Sequence, residues 1–219
     1  MTDSDGRAPL VARVLSTTFG LLIALVAVAW LVEIVDSTLL DDRLQQNGIH
    51  PRELGGLPGI IWTPWLHAGF GHLASNTVPF VALGWLVALR GLRYWALVTI
   101  AAVVIGGGLT WLFAGGSNHI GASGVVFSYF GALLGGAIYD RRPALLAPAL
   151  VALLMYSGMI AGLVPQRDIS WEGHLFGLLA GFLVARQLAD PPPDSTDEDE
   201  DIPYPWEAGE PWLDTDPEP

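Results

Sequence analysis

Apolar runs of about 20 residues, separated by short polar stretches, recur along most of the chain. They fall at roughly 14–35, 70–89, 94–114, 121–139, 143–163 and 172–189, each close to the length that crosses a bilayer as a helix. The first, VLSTTFGLLIALVAVAWLVEIV, is continuous, and the second is interrupted by His72, Ser75 and Asn76. The fourth and sixth are short and glycine-rich, with glycines at 131, 135 and 136 and at 173, 177 and 181, so they can approach other backbones closely. The pattern predicts an all-α, polytopic membrane protein: a six-helix transmembrane bundle over 14–189, a short N-terminal segment at 1–13 and a tail at 190–219. The first run is too long for the apolar core of a secretory signal and has no small-residue cleavage site after it, so it reads as a span.

Charge sharpens this division. The net charge of −12 over 219 residues is unevenly placed, because residues 190–219 hold twelve acids and no base. The rest carries ten acids and ten arginines and is neutral. The tail, rich in proline and acid, is expected to be disordered. It has aromatic spots at Pro203-Tyr204-Pro205-Trp206 and Pro211-Trp212-Leu213, yet reads first as a solubilising segment. No basic patch exists, which argues against nucleic-acid binding. With no cysteine in the chain, disulfides, thiolate metal sites and a cysteine nucleophile are excluded.

Arginine placement sets the expected orientation. With the N-terminus inside, Arg7, Arg13, Arg90, Arg93, Arg141, Arg142 and Arg186 face the cytoplasm, and Arg43, Arg52 and Arg167 face out. Both termini are then cytoplasmic. The loop 36–60 lies outside, and LGGLPGIIW (54–62) is apolar enough to enter the outer interface.

That orientation brings the intramembrane polar residues to one depth. His67, His72 and Asn76 lie near the outer end of the second span, Ser123 in the first turn of the fourth, and His174 in the first turn of the sixth. His72 and Asn76, four apart, share a helix face. Polar groups within spans are costly and ordinarily face an interior or a water-filled cavity. A serine becomes a nucleophile when a base takes its proton, and histidine suits that task. Ser123 and His174 therefore make a candidate dyad without a carboxylate. His72, Asn76 and the Ser123 backbone N–H at a helix start are candidate donors to an oxyanion, and Gly121 and Gly124 leave room for close approach.

Each residue also has a plain reading. Serine in a glycine-rich span is ordinarily packing filler, and a lone intramembrane histidine is as readily a satisfied core group as a functional one. His67 and Asn76 could tie loops together, His119 reads as a solvated loop residue, and Glu172 as a solvated carboxylate near His174. Met155 and Met159, four apart, read as packing, and the nine tryptophans as interface anchors. The coincidence at one depth favours chemistry over any single residue.

The motifs resemble those of the rhomboid intramembrane serine proteases. Gly121-Ala122-Ser123-Gly124 matches the nucleophile motif G-x-S-G, His67-x4-His72-x3-Asn76 the second-span pattern, and His174-Leu175-Phe176-Gly177 the sixth-span H-x-x-G, followed by Gly181. The resemblance covers about residues 14–189. It implies Ser123 as nucleophile and His174 as general base, with His72, Asn76 and the Ser123 backbone as the oxyanion hole. It further implies a structural role for His67 and an aromatic, Phe127, set against the histidine. It implies cleavage of transmembrane protein substrates in or near their spans, in a multi-pass cell membrane protein, with no metal or cofactor. Separately, the lysine-free, cysteine-free, compact six-span composition reads as bacterial, hence of plasma-membrane type. Two departures stand out. Many relatives carry a Trp-Arg pair in the first outer loop, where this chain reads LPGIIWTPW, and Gly173 stands where alanine is common. A helix-gripping binding protein without catalysis and a small transporter or histidine metal site are the competing classes. Retention of both Ser123 and His174 disfavours the first, and the lack of a carboxylate pair or of an inverted repeat disfavours the second.

Overall fold

Helices form wherever the apolar runs predict them. The computed structural model describes residues 7–189 other than Ser117, Arg141, Arg142, Arg167 and Asp168, and only the backbone of 7–15 and 143–145. The tail 190–219 and residues 1–6 of the segment that precedes the first span lie outside this description, as do the side chains of Arg7, Arg13, Arg141, Arg142 and Arg167. Six main helices follow one another: α1 (Arg7–Leu39), α2 (Phe70–Ala88), α3 (Leu92–Phe113), α4 (Ser123–Tyr139), α5 (Pro143–Tyr156) and α6 (Trp171–Gln187). Among the described residues, four segments are long and apolar enough to cross a membrane: Ser16–Leu39, α2, α3 and Leu146–Leu163. The last continues α5 through tight turns at Ser157–Leu163. Leu31, Val78, Ile100 and Leu154, on four different helices, are each more than half exposed, as residues facing lipid would be. Met155 is exposed on the same surface, not packed, whereas Met159 lies against the core. The molecule is a multi-pass membrane protein.

α4 sits at the centre, which explains its shortness. Of its 17 residues, 11 are buried, so it is solvated by protein and not by lipid. Its partner α6, also 17 residues, crosses it at glycines. A methyl at Gly177 would strike the Gly124 carbonyl, and one at Gly181 the Ser128 carbonyl. The backbones therefore touch directly, and almost any larger side chain at the crossing would force the helices apart. Behind α4, Leu22 of α1, Leu83 and Val87 of α2 and Val98 of α3 pack with Tyr129 and Phe130 to form the core. α3 widens into a π-helical turn at Ala102–Gly106 where it passes Gly177.

Two polar ties hold α2 to its neighbours. Trp30 Nε1 of α1 donates to Thr77 Oγ1 at 3.1 Å. At the opposite end of the bundle, Arg90 pairs with Asp140 at 2.7 Å, donates to the Leu188 carbonyl at 3.2 Å and stacks on Tyr94. That ion pair joins the ends of α2, α4 and α6.

The loop between α1 and α2 is anchored despite lacking the familiar Trp-Arg pair. Asp36 accepts the backbone N–H groups of Leu44 and Gln45 at 2.7 and 3.0 Å. Ile49 and His119 exchange two backbone bonds of 2.9 and 3.0 Å. Arg52 donates to the Ala114 carbonyl at 2.6 Å, capping α3, while the Trp111 indole donates to the Glu53 carbonyl at 2.9 Å. An arginine and a tryptophan do the anchoring from different positions. Leu54, Ile61 and Trp62 remain exposed on this loop.

Candidate active site

Three helix starts converge at one end of the bundle. Ser123 opens α4, and its Oγ lies 2.8 Å from His174 Nε2 on the first turn of α6. The other ring nitrogen, Nδ1, lies 2.8 Å from the Gly162 carbonyl. A carbonyl only accepts, so Nδ1 carries the proton and Nε2 presents its lone pair to the serine hydroxyl. Phe127, one turn after Ser123, stacks on the imidazole with 4.2 Å between centroids and 10° between planes. A methyl at Gly162 would lie 3.0 Å from His174 Nδ1 and 3.1 Å from Phe127, so glycine there lets the ring seat between its two neighbours. Such an arrangement can pass a proton from hydroxyl to imidazole without a carboxylate.

The opposite wall comes from α2. His72 Nδ1 accepts the Ala68 N–H at 3.2 Å, which leaves Nε2 as the protonated nitrogen. That nitrogen points at the turn before Ser123. A methyl at Gly121 would lie 2.9 Å from it, and Gly121 has φ +112. Both sterics and backbone therefore require glycine. Asn76 Nδ2 donates one hydrogen to the His72 carbonyl at 3.0 Å and has a second to offer. Ala122, at the cap position, brings no side-chain acceptor to the start of α4. As the first residue of that helix, Ser123 has an N–H without an intrahelical acceptor, and the helix dipole favours negative charge there.

His67 holds the same turn from below. Its Nε2 accepts the Ala122 N–H at 3.3 Å, and its ring meets His72 edge-on at 5.1 Å. Burial pushes its pKa down to about 4, aided by repulsion from His72 and opposed by the Trp65 backbone. It is neutral at pH 7, as an accepting nitrogen must be. Gly121 N–H donates to the Thr63 carbonyl at 3.0 Å, so the loop and His67 together fix the backbone that presents Ser123. A cleft of about 1000 Å³ opens over these groups, lined by His72, Asn76, Ser123, Phe127, Gly162 and His174.

His72, Asn76, Ser123, Phe127 and His174 thus line one cleft, His67 and Gly121 form the turn that presents Ser123, and Gly124 and Gly177 lie at the helix crossing. One expectation is corrected. His119 is not solvated: it is 3% exposed, and burial lowers its pKa. Glu172 is half-exposed and accepts the Gly115 N–H at 3.2 Å. Sequence reasoning missed Gly162, whose contribution is a carbonyl and so leaves no mark in residue type. It also missed Ser170, whose serine at a helix start was a visible signal. Among the described residues no cluster of three or more metal-ligating side chains occurs.

Known proteins resemble the chain over most of its length. Residues 55–190 match the Rhomboid domain family. The protein Rv1337 of Mycobacterium tuberculosis is 37% identical over 180 residues, covering 78% of this chain and 75% of its own. Rhomboid protease GluP of Bacillus subtilis is 31% identical over 129 residues, 58% of this chain and 25% of its own. RHOMBOID-like protein 5 of Arabidopsis thaliana is 31% identical over 156 residues, 66% of this chain and 46% of its own.

Proposed function

The chain belongs to the rhomboid family of intramembrane serine proteases, and from that premise we propose that it is a serine endopeptidase cutting transmembrane protein substrates in or near their spans. The observation that carries this reading is the 2.8 Å contact between Ser123 Oγ and His174 Nε2, with Nδ1 committed to Gly162. His174 takes the hydroxyl proton as Oγ attacks the scissile carbonyl. The resulting oxyanion is met by His72 Nε2–H, the second Asn76 amide hydrogen and the Ser123 backbone N–H. His174 then gives its proton to the leaving amine. In the second half, water attacks the acyl-enzyme, His174 again accepts the proton, and Ser123 is regenerated. His67, Gly121 and Phe127 hold the reacting groups in place, and Gly124 and Gly177 hold the helices that carry them. No metal or organic cofactor takes part.

Both termini are assigned to the cytoplasm of a bacterial plasma membrane, with the cleft at the outer face, on the strength of the arginine distribution. The domain spans 14–189, and the acidic tail 190–219 is a solubilising extension.

The test is covalent labelling of the purified protein by a fluorophosphonate, which reacts with activated serines. Labelling of the wild type that disappears in both Ser123→Ala and His174→Ala supports the reading. Equal labelling in Ser123→Ala, or cleavage of a single-span substrate that survives that substitution, refutes it.

A further inference from the structure

Four residues before Ser123 stands His119, and four residues before His174 stands Ser170. These two also meet, with His119 Nδ1 hydrogen-bonded to Ser170 Oγ. His119 Nε2 lies 3.3 Å from the Gly115 carbonyl, so Nε2 is protonated, Nδ1 accepts, and the Ser170 hydroxyl donates. Gly115 N–H in turn donates to Glu172 Oε1. A closed polar ring therefore joins the segment leading into α4, through Gly115 and His119, to the start of α6, through Ser170 and Glu172.

Three further observations give this ring a purpose. Ser170 occupies the cap position of α6, where a serine ordinarily accepts a first-turn N–H, yet its side chain makes no such bond. The hydroxyl is turned to His119 instead. A methyl at Gly173 would lie 2.6 Å from Ser170 Oγ, so glycine at that position clears the space the hydroxyl occupies. Finally, the Ser170 carbonyl accepts the His174 N–H at 3.0 Å, so the placement of Ser170 passes along one helical turn to the imidazole.

We propose that His119 and Ser170 are positioning residues whose hydrogen bond fixes the first turn of α6 against the start of α4 and so sets the Ser123–His174 separation. The protease reading uses neither side chain, and this inference rests on that reading. A proton transfer across one hydrogen bond tolerates little misplacement, and a shift of about 1 Å can cost about a hundredfold in rate. The α4–α6 crossing below is pinned by glycine-to-carbonyl contact. The ring holds the two helix starts above it.

The experiment uses the full chain in lipid vesicles with a single-span reporter substrate, and measures kcat, KM and the thermal midpoint. Wild type is run beside Ser123→Ala, Ser170→Ala, Ser170→Thr and Gly173→Ala. Ser170→Ala and Gly173→Ala are expected to lower kcat by roughly ten- to a hundredfold with KM unchanged, while Ser170→Thr, which keeps the hydroxyl, retains kcat. Wild-type kcat in Ser170→Ala overturns the proposal, as does a loss in Ser170→Thr equal to that in Ser170→Ala. If Ser170→Ala does not fold, Gly173→Ala decides in its place, because it displaces the hydroxyl without removing it. An active wild type with an unaffected Ser170→Ala defeats the positioning role alone. A wild type no faster than Ser123→Ala defeats the protease reading, and this inference with it.

Discussion

The same three helices, α2, α4 and α6, are tied together at both ends of the bundle, by opposite kinds of chemistry. At the end away from the cleft the tie is a buried ion pair, Arg90 with Asp140, closed over by Tyr94 and the Leu188 carbonyl. At the cleft the ties are neutral: His174 to Ser123 and Gly162, His72 to Ala68, His67 to Ala122. A buried ion pair loses heavily if either partner goes, and its charges are fixed. A neutral imidazole between one donor and one acceptor is still satisfied, yet keeps a nitrogen that can take a proton. The difference separates what holds the bundle from what is available for reaction.

That contrast can be broken by substitution. Ser123→Ala should abolish hydrolysis, a loss of at least about a thousandfold, with an unchanged thermal midpoint. Residual cleavage near the wild-type rate would put the reactive group elsewhere. Arg90→Ala should do the reverse. Removing one partner of a buried ion pair costs about 3–5 kcal/mol, read as a lowered unfolding midpoint, while fluorophosphonate labelling of the molecules that remain folded proceeds as in wild type. His72→Ala removes one oxyanion donor and should lower kcat by about 10²–10³, with a smaller effect on KM.

Acid should act on the cleft end through His67. The pKa of His67 is about 4 in the fold against an ordinary 6.5, so the folded state resists the proton that the unfolded state accepts. The stabilisation is complete above about pH 6.5 and is lost as pH falls toward 4, for a total of about 3 kcal/mol. Thermal unfolding followed from pH 7 to pH 4 should show a shallower decline in His67→Gln than in wild type; parallel curves would mean that burial of this ring is not the cause. The smallest effect is expected from Thr77→Val, which removes the acceptor of Trp30 and should cost about 1 kcal/mol with labelling unaltered.

Much of this architecture was legible beforehand. A 24-residue apolar run such as Ser16–Leu39 has few alternatives to a membrane helix, because a bilayer admits only segments whose backbone is satisfied internally. The glycines at 177 and 181 announced a close helix crossing, and the position of Ser123, His72 and His174 at a common depth announced a shared cavity. What was not legible involved backbone groups or contacts between distant segments. Gly162 contributes a carbonyl that every residue possesses. His119 looked like a solvated loop residue, yet it is buried and bonded to Ser170, 51 positions away. Gly173 showed in the sequence only as a glycine where alanine is common, whereas in the fold the Ser170 hydroxyl occupies the space a methyl would fill.

By itself, then, the sequence determined the helices, their apolar faces and which polar side chains had to be sheltered, because these follow from local periodicity and the cost of exposing polar groups to lipid. Only the tertiary structure decided which nitrogen of each histidine carries the proton, that Arg52 and Trp111 anchor the first loop, and how the starts of α4 and α6 are locked together. Those depend on directional hydrogen bonds between segments far apart in the chain, and no periodicity encodes which carbonyl a folded backbone will turn toward a given ring.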